Sequence, residues 1–162
     1  MSSDQLTVTV ADGFVPVIDL SSRDSTEGRT LIAEAIGNAL ESSGFFIIVG
    51  HGVSSELVGR MFTATNAFFK LPHEEKDLVA SRPGVSGYRR AGGTLARSLD
   101  QETPPDLCET FAAHVTGELG DKERTQLGDE WASWTHKNIW PKNPTDFQDV
   151  WQEYMAAMGD LA

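Results

Sequence analysis

Two short runs of hydrophobic residues in the first 50 positions predict β-strands. Val15 to Leu20 is rich in β-branched residues, and Pro16 places this strand at a sheet edge or at a strand start. Phe45 to Val49 is apolar at every position, so both of its faces would be buried. The second run is therefore predicted to be a fully buried strand in the centre of its sheet.

Two longer segments carry hydrophobic residues at helical spacing. The first runs from Glu27 to Glu41, with Ser25 or Thr26 as its N-cap and Gly44 as its stop. Its predicted apolar face consists of Leu31, Ile32, Ala35, Ile36, Ala39 and Leu40. The second helix is capped by Ser54, and its predicted buried stripe consists of Leu57, Val58, Met61, Phe62, Thr65, Phe68 and Phe69.

The middle of the chain has weaker patterns. Pro72 opens a short, acidic helix that is predicted to lie at the surface. Residues 80–105 mix glycines and arginines with no sustained period, which predicts a long loop of the kind that is usually functional or mobile. Cys108 to Val115 is predicted as a strand, and residues 117–128 as a polar connection.

A final helix is predicted near the end of the chain. Asn143 is its expected N-cap, with Pro144 at the first helical position and Asp146 at the third. Its apolar face consists of Phe147, Val150, Trp151, Tyr154, Met155, Met158 and Leu161. No stop signal precedes Ala162, and the few predicted strands do not cover the apolar faces. We therefore expect a mixed α/β (α+β), helix-rich fold and an incomplete chain, with residues 1–13 as a flexible N-terminus.

Composition and charge narrow the function classes. The chain has 13 Lys and Arg against 24 Asp and Glu, a net charge of −11. It lacks the basic footprint that neutralises phosphates, so nucleic acid and anionic membrane surfaces are not expected partners. The single cysteine, Cys108, excludes an internal disulfide and is expected to be an inert strand residue in a reducing compartment. No signal peptide or membrane-spanning run is present in the sequence, and we expect a cytoplasmic location.

The turn from Gly50 to Ser54 partly matches a dinucleotide-binding fingerprint. It has two of the three glycines, but serine stands at the third position. The acid that would meet the ribose, about 20 residues further on, would fall on the Pro72 helix instead of at a strand end. A nucleotide-binding module therefore stays only as an alternative function.

Four histidines and many carboxylates raise the question of a metal site. A facial triad for Fe(II) needs two histidines and one carboxylate, commonly beginning as His-x-Asp. No histidine here is followed two positions later by Asp, and side chains at His73 and Glu75 would point about 200° apart on a helix. We expect no metal ligands in this chain, a turn or partly buried role for His51, and exposed rings at His73 and His136.

The run Tyr88-Arg89-Arg90 concentrates positive charge in an acidic chain. Guanidinium groups bind carboxylates in a bidentate geometry, which makes these residues candidates for substrate contact. A solvated loop that balances nearby acids would produce the same pattern. The residues alone leave both interpretations open.

Six sequence blocks occur together in one order along residues 14–162. They are VPVIDLS, GFFIIVGHGV, AFFKLPHEEK, GYRRAGG, the stretch from Asp106 to Phe111, and NIWPKNPTDFQDVWQEYMAAMGDLA. In this order and at these spacings the set resembles the N-terminal region of the isopenicillin-N-synthase-like 2-oxoglutarate/Fe(II)-dependent dioxygenases. The resemblance implies that residues 14–162 form the N-terminal domain of a non-haem dioxygenase.

The resemblance also implies what this chain lacks. In such enzymes a double-stranded β-helix, or jelly-roll, core follows this region and binds Fe(II) through His-x-Asp and a later His. An Arg-x-Ser pair in that core binds 2-oxoglutarate. Arg23-Asp24-Ser25 has that spacing but lies before the first helix, so the role is not carried over. Fe(II) and 2-oxoglutarate are expected cofactors of the full-length parent, with no cofactor, catalytic residue or metal ligand expected in this chain alone.

The implied function is oxidation of a small molecule by hydroxylation, desaturation or ring closure. The missing jelly-roll domain would be the partner of this chain, which would be inactive by itself. GYRRAGG stands where family members send a loop to the substrate mouth, so Tyr88, Arg89 and Arg90 are the expected substrate contacts. An oxidase that does not use 2-oxoglutarate remains an alternative. So does a complete small binding or regulatory protein derived from the accessory half of an oxygenase.

Overall fold

The computed structural model describes residues 9–11, 13, 15–92, 107–117, 119–127 and 135–162. Helices and short strands are mixed, as the α+β prediction requires. The chain divides into two compact units, Met1–Val53 with Leu161, and Ser54–Asp160 with Ala162. Of the predicted flexible terminus, residues 1–8 and 12 lie outside the described residues, whereas residues 9–11 form a strand.

The described residues of the first unit form one helix and a three-stranded sheet. Its elements are β1 (Thr9–Ala11), β2 (Val15–Asp19), α1 (Thr26–Ser42) and β3 (Ile47–Val49). The strand order is β1-β2-β3, with β1 antiparallel and β3 parallel to β2, so β2 is central. Of the two predicted placements, the sheet edge is wrong and the strand start is confirmed. Pro16 lies opposite Val10, but pairing with β3 begins only at Val17. The proline therefore stands at the start of β2, where its missing N–H removes no bond to β3.

The prediction of a fully buried, central second strand is also wrong. β3 is an edge strand, and Phe45, Ile47 and Val49 are 55%, 45% and 41% exposed. Helix α1 packs on one face only, where the cluster with Ile18 and Ile32 at its centre includes Ile48. Side chains alternate across a strand, so the opposite face of β3 is left uncovered by the described residues.

Helix α1 begins and ends where its capping signals predict. The Oγ of Ser25 accepts a hydrogen bond from the backbone N–H of Gly28 at 2.9 Å. At the other end Gly44 has a φ of +79°, and its N–H donates to the carbonyl of Ala39 at 3.1 Å. Leu40, predicted on the apolar face, is 53% exposed because the buried stripe is centred on Ile32 and Ala39.

Two glycines in α1 are expected to respond oppositely to alanine. A Cβ at Gly28 would lie 2.0 Å from the carbonyl oxygen of Ser22, whereas one at Gly37 meets nothing within 4 Å. Gly28→Ala should lower the free energy of unfolding by about 1 to 3 kcal/mol, because the turn before the helix must move. Gly37→Ala should raise it by about 0.5 to 1 kcal/mol through helix propensity. Urea denaturation measures both, and equal effects at the two sites would contradict the close approach.

In the described residues of the second unit there are four helices and two pairs of two-residue strands. The helices are α2 (Ser55–Phe69), α3 (His73–Asp77), α4 (Asp121–Leu127) and α5 (Phe147–Leu161). The strands are β4 (Val85–Ser86), β5 (Tyr88–Arg89), β6 (Thr110–Phe111) and β7 (Lys137–Asn138). β4 pairs parallel with β7, and β5 pairs antiparallel with β6. Part of the predicted long loop is thus regular structure, while residues 93–106 lie outside the described residues.

The strand and connection predicted between residues 108 and 128 differ from the structure. The strand is reduced to β6, and Cys108 is exposed and lies before it. The polar connection contains helix α4, which has no apolar stripe to reveal it. An acidic first turn favours a helix start, and the Glu123 carboxylate accepts a hydrogen bond from the Gly120 N–H at 2.9 Å.

Helix α5 begins three residues later than predicted. Its N-cap is Asp146, and Phe147 is the first helical residue. Asn143 does not cap it because its side-chain amide donates to the Glu75 carboxylate at 3.1 Å. The peptide bond between Asn143 and Pro144 is cis.

Aromatic side chains form the core of the second unit. Phe68 of α2 and Phe147 of α5 are fully buried, and Tyr88 of β5 is 1% exposed. Around them pack half-buried aromatic residues, namely Phe69, Phe111, Trp140 and Trp151. Phe62, predicted to belong to the α2 stripe, is instead 67% exposed. It stands about 100° around the helix from Met61, beyond the face that reaches this core.

Candidate functional site

The three predicted substrate-contact residues have different environments. They lie in β5 and just after it, where alternate side chains point to opposite sides. Tyr88 is buried in the aromatic core, whereas Arg89 and Arg90 are exposed. Only the two arginines are therefore open to solvent.

The Tyr88 hydroxyl lies in a small polar cluster at the edge of the core. It is 3.4 Å from Nδ1 of His73, and the Nζ of Lys76 lies 5.4 Å from the tyrosine ring centroid. Burial, followed by the hydrogen bond and charge of Glu109, raises the pKa of Tyr88 above its ordinary value. The hydroxyl therefore stays protonated at neutral pH and acts as a positioned hydrogen-bonding group.

A buried ion pair completes this cluster. Lys76 is 3% exposed, and its Nζ donates to the Glu109 carboxylate at 2.6 Å and to the Phe69 carbonyl at 3.2 Å. Burial alone would lower the pKa of Lys76, but the hydrogen bond to Glu109 and nearby charges raise it overall. The same bond lowers the pKa of Glu109. Both groups are therefore charged at neutral pH.

The amino-acid sequence gives no sign of this ion pair. Lys76 stands in the acidic helix predicted to lie at the surface, and Glu109 is 33 residues away. A single lysine among acids carries no signal of burial. Only the packing of α3 against the segment that precedes β6 brings the two residues together.

Arg90 is held by a second ion pair. Its Nε donates to one Asp77 carboxylate oxygen at 2.9 Å, and its Nη2 donates to the other oxygen. This bidentate bond lowers the pKa of Asp77 and raises that of Arg90. Arg90 therefore ties the end of β5 to α3.

Unlike Arg90, Arg89 lines a cleft of about 290 Å³. Arg82, His114 and His136 contribute to the same walls. No carboxylate pairs with Arg89 among the described residues. Of the three predicted contacts, Arg89 is thus the one whose geometry leaves it available to a ligand.

The Gly50 turn has a structural explanation. Gly50 and Gly52 both have positive φ values, of 63° and 83°, and His51 Nδ1 accepts a hydrogen bond from the Val53 N–H at 3.1 Å. A Cβ at Gly50 would lie 2.1 Å from the Asp19 carboxylate, so the turn faces a negative charge. This arrangement disfavours a bound phosphate.

The Arg23-Asp24-Ser25 string serves the fold locally. Arg23 donates to the Gly50 carbonyl at 3.2 Å, and Ser25 caps α1. Neither side chain is therefore arranged as a 2-oxoglutarate clamp.

The described residues do not fit an Fe(II) site. Within the described part of the chain, no three His, Cys, Asp or Glu side chains are grouped so that they could hold a metal ion. The rings of His114 and His136 are tilted by 58° with centroids 4.8 Å apart, but no carboxylate among the described residues joins them to form a metal-binding group of three. A helix long and apolar enough to span a membrane is likewise not found among these residues.

Comparison with known families gives one match over most of the chain. Residues 15–143 match the family described as "non-haem dioxygenase in morphine synthesis N-terminal". A homoarginine-6-hydroxylase of Arabidopsis thaliana is 30% identical over 91% of this chain and 45% of its own length. The validamycin A dioxygenase of Streptomyces hygroscopicus subsp. limoneus is 34% identical over 93% of this chain and 40% of its own. The chain thus spans less than half the length of these relatives.

Solved structures show the same fold. The C-terminally truncated T7H of Neurospora crassa in apo form superposes with a TM-score of 0.64 at 19% identity, over 94% of this chain and 51% of that one. JOX2, solved in complex with 2OG, Fe and JA, gives a TM-score of 0.61 at 24% identity, over 99% of this chain and 42% of that one. At these identities the likeness concerns the fold alone.

Proposed function

The chain belongs to the family of non-haem dioxygenase N-terminal regions, and from this premise we propose that it is part of an oxygenase that oxidises a small molecule. The observation that carries the proposal is the family match over residues 15–143. The names of the relatives support it, since they are hydroxylases and dioxygenases. The proposed oxidation is a hydroxylation, a desaturation or a ring closure.

The proposed cofactors of the full-length protein are Fe(II) and 2-oxoglutarate. A jelly-roll domain of the full-length protein would hold them. The described residues of this chain contain no group of three His, Cys, Asp or Glu side chains that could hold a metal ion. When bound, the cofactors supply the oxidising chemistry from dioxygen. By itself this chain would be inactive, and it would contribute a wall of the substrate mouth.

Within that wall we assign the predicted contacts different tasks. Arg89 would contact the substrate, because it is exposed and lines the cleft. Tyr88 and Arg90 would position it, the first through the buried ring and the second through the Asp77 ion pair.

The intact mass of the natural gene product is the first test. A mass of about twice 17.6 kDa would agree with an oxygenase that contains this chain, given the share of its relatives that it spans. That protein should then convert 2-oxoglutarate to succinate in the presence of Fe(II) and a suitable small molecule, and the 162-residue chain should not. A mass near 17.6 kDa would favour the small binding or regulatory protein instead.

Substitution of Arg89 tests the substrate contact. In the full-length enzyme, Arg89→Ala should raise the substrate KM by about tenfold, because a charge-assisted hydrogen bond is lost. Arg90→Ala should raise KM less, since it acts through the position of β5. Fe(II) binding should be unchanged in both variants. Arg60→Ala is the matched control, because the ion pair between Arg60 and Glu153 lies outside the cleft. An unchanged substrate KM in Arg89→Ala would refute the contact.

A further inference from the structure

The cleft beside Arg89 collects cationic and hydrogen-bond-donating side chains in a strongly acidic chain. Arg82, Arg89, His114 and His136 line it, and among the described residues no Asp or Glu does. The whole chain has a net charge of −11, so a cleft lined in this way departs from the surrounding surface. Its volume of about 290 Å³ is near the lower end for small-molecule sites.

One wall of the cleft is a tight turn. The Arg82 N–H donates to the Val85 carbonyl at 3.1 Å, and the Val85 N–H donates to the Arg82 carbonyl at 2.8 Å. Pro83 and Gly84 occupy the two central positions, and the φ of +75° at Gly84 is that of a type II turn. The Lys137 N–H donates to the Gly84 carbonyl at 3.2 Å, so β7 fixes the turn in place.

The part of the lining that contains the two histidines is also held by hydrogen bonds. The side-chain amide of Asn138 accepts a hydrogen bond from the His114 N–H and donates one to the His114 carbonyl, both at 2.8 Å. The rings of His114 and His136 then lie 4.8 Å apart. An imidazole carries at least one N–H in either protonation state, so both rings can donate to an anion.

The two arginines of the cleft differ from three other basic residues of the unit. Lys76, Arg60 and Arg90 each form an ion pair with a carboxylate. Within the described part of the chain, Arg82 and Arg89 form none. Guanidinium groups on a rigid frame and without an internal counter-charge are suited to bidentate binding of an external oxyanion.

We propose that this cleft binds the oxyanion group of a small molecule, carried as a carboxylate or a phosphate. This inference rests on the proposed function, because it takes the bound small molecule to be the substrate of the oxygenase. It adds that the substrate group contacted by Arg89 is an oxyanion. Arg82 and Arg89 provide the charge, and the two imidazoles provide further donors.

Isothermal titration of the full-length protein tests the proposal. The titration is carried out without Fe(II) and 2-oxoglutarate, once with inorganic phosphate and once with citrate. Sodium chloride at equal ionic strength is the control titrant. Saturable binding of either anion is expected, and the anion that binds identifies the group. Because no cofactor is present, the result is independent of turnover, so this proposal and the oxygenase proposal can fail separately.

Variants assign the binding to the cleft. Arg82→Gln and Arg89→Gln should each raise the Kd of the bound anion by about tenfold or more, while Arg60→Gln should leave it unchanged. The circular dichroism melting curve of each variant checks that it is folded, which is expected because both cleft arginines are exposed. Binding of neither anion, or the same Kd in the cleft variants as in the parent, would overturn the inference.

Discussion

Phe147→Ala is expected to lower the free energy of unfolding by about 3 to 5 kcal/mol, because it removes the centre of the aromatic core. The Phe147 ring is fully buried and packs against Phe68, Phe111, Trp140 and Trp151 at centroid distances of 5.1, 5.0, 6.3 and 5.4 Å. These rings come from separate segments, so they cannot close the cavity without moving their backbones. Urea denaturation followed by tryptophan fluorescence measures the change.

Phe62→Ala is the matched control for this substitution. It deletes the same side chain from a helix, but Phe62 is 67% exposed. A change within about 0.5 kcal/mol is expected there. A similar loss of stability in Phe62→Ala and Phe147→Ala would contradict the placement of the core around Phe147.

Glu109→Gln is expected to destabilise the chain by about 3 kcal/mol. The change removes the countercharge of Lys76, whose side chain is only 4% exposed and whose ammonium would keep the Phe69 carbonyl as its hydrogen-bond acceptor. A buried charge without its partner costs far more than the pair itself contributes. Asp77→Asn, which breaks the exposed pair with Arg90, should have a much smaller effect.

The double variant Lys76→Met/Glu109→Leu separates the two contributions to this loss. It removes both charges and should recover most of the stability lost in Glu109→Gln. A double variant as unstable as the single one would show that packing, not the unpaired charge, is responsible. Denaturation of all three proteins in one buffer completes the comparison.

The same ion pair predicts a pH dependence. The pKa of Glu109 is lowered below 4.5 in the folded chain, so its contribution is present above that pH and is lost as the pH falls through the folded value. The pKa of Lys76 is raised above 10.5, so its contribution is lost as the pH rises through that higher value. The difference in stability between the parent and Glu109→Gln should therefore be constant near neutral pH and shrink below pH 4.5. A difference that stays constant into acid would exclude the pair as its source.

Local structure was largely predictable from the sequence. Ser25, Gly44 and Ser54 act as caps where their positions indicate, because a cap needs only neighbouring backbone groups to form its hydrogen bonds. The strand around Ile18 and most of the apolar stripes of the long helices, with Leu40 and Phe62 as exceptions, follow from the same short-range periodicity. The family blocks placed the chain among non-haem dioxygenases for a related reason, since order and spacing of motifs are properties of the sequence itself.

Burial was less predictable. Phe45 to Val49 looks like a central strand, yet whether its second face is covered depends on which other segments pack there. Helix α4 escaped detection because a polar surface helix carries no hydrophobic period. In both cases the hydrophobic pattern shows whether a segment could be buried. It does not show whether another segment packs against it.

The sequence by itself determined the caps of α1 and α2, the main helices, the acidic charge and the family of this protein. Only the tertiary structure decided that Lys76 is buried against Glu109, that Arg90 is bound to Asp77, and that Arg89 faces a cleft with His114. These pairings join residues that are far apart in the chain. No local rule specifies such pairings, because they arise only when strands and helices pack and bring distant side chains within bonding distance.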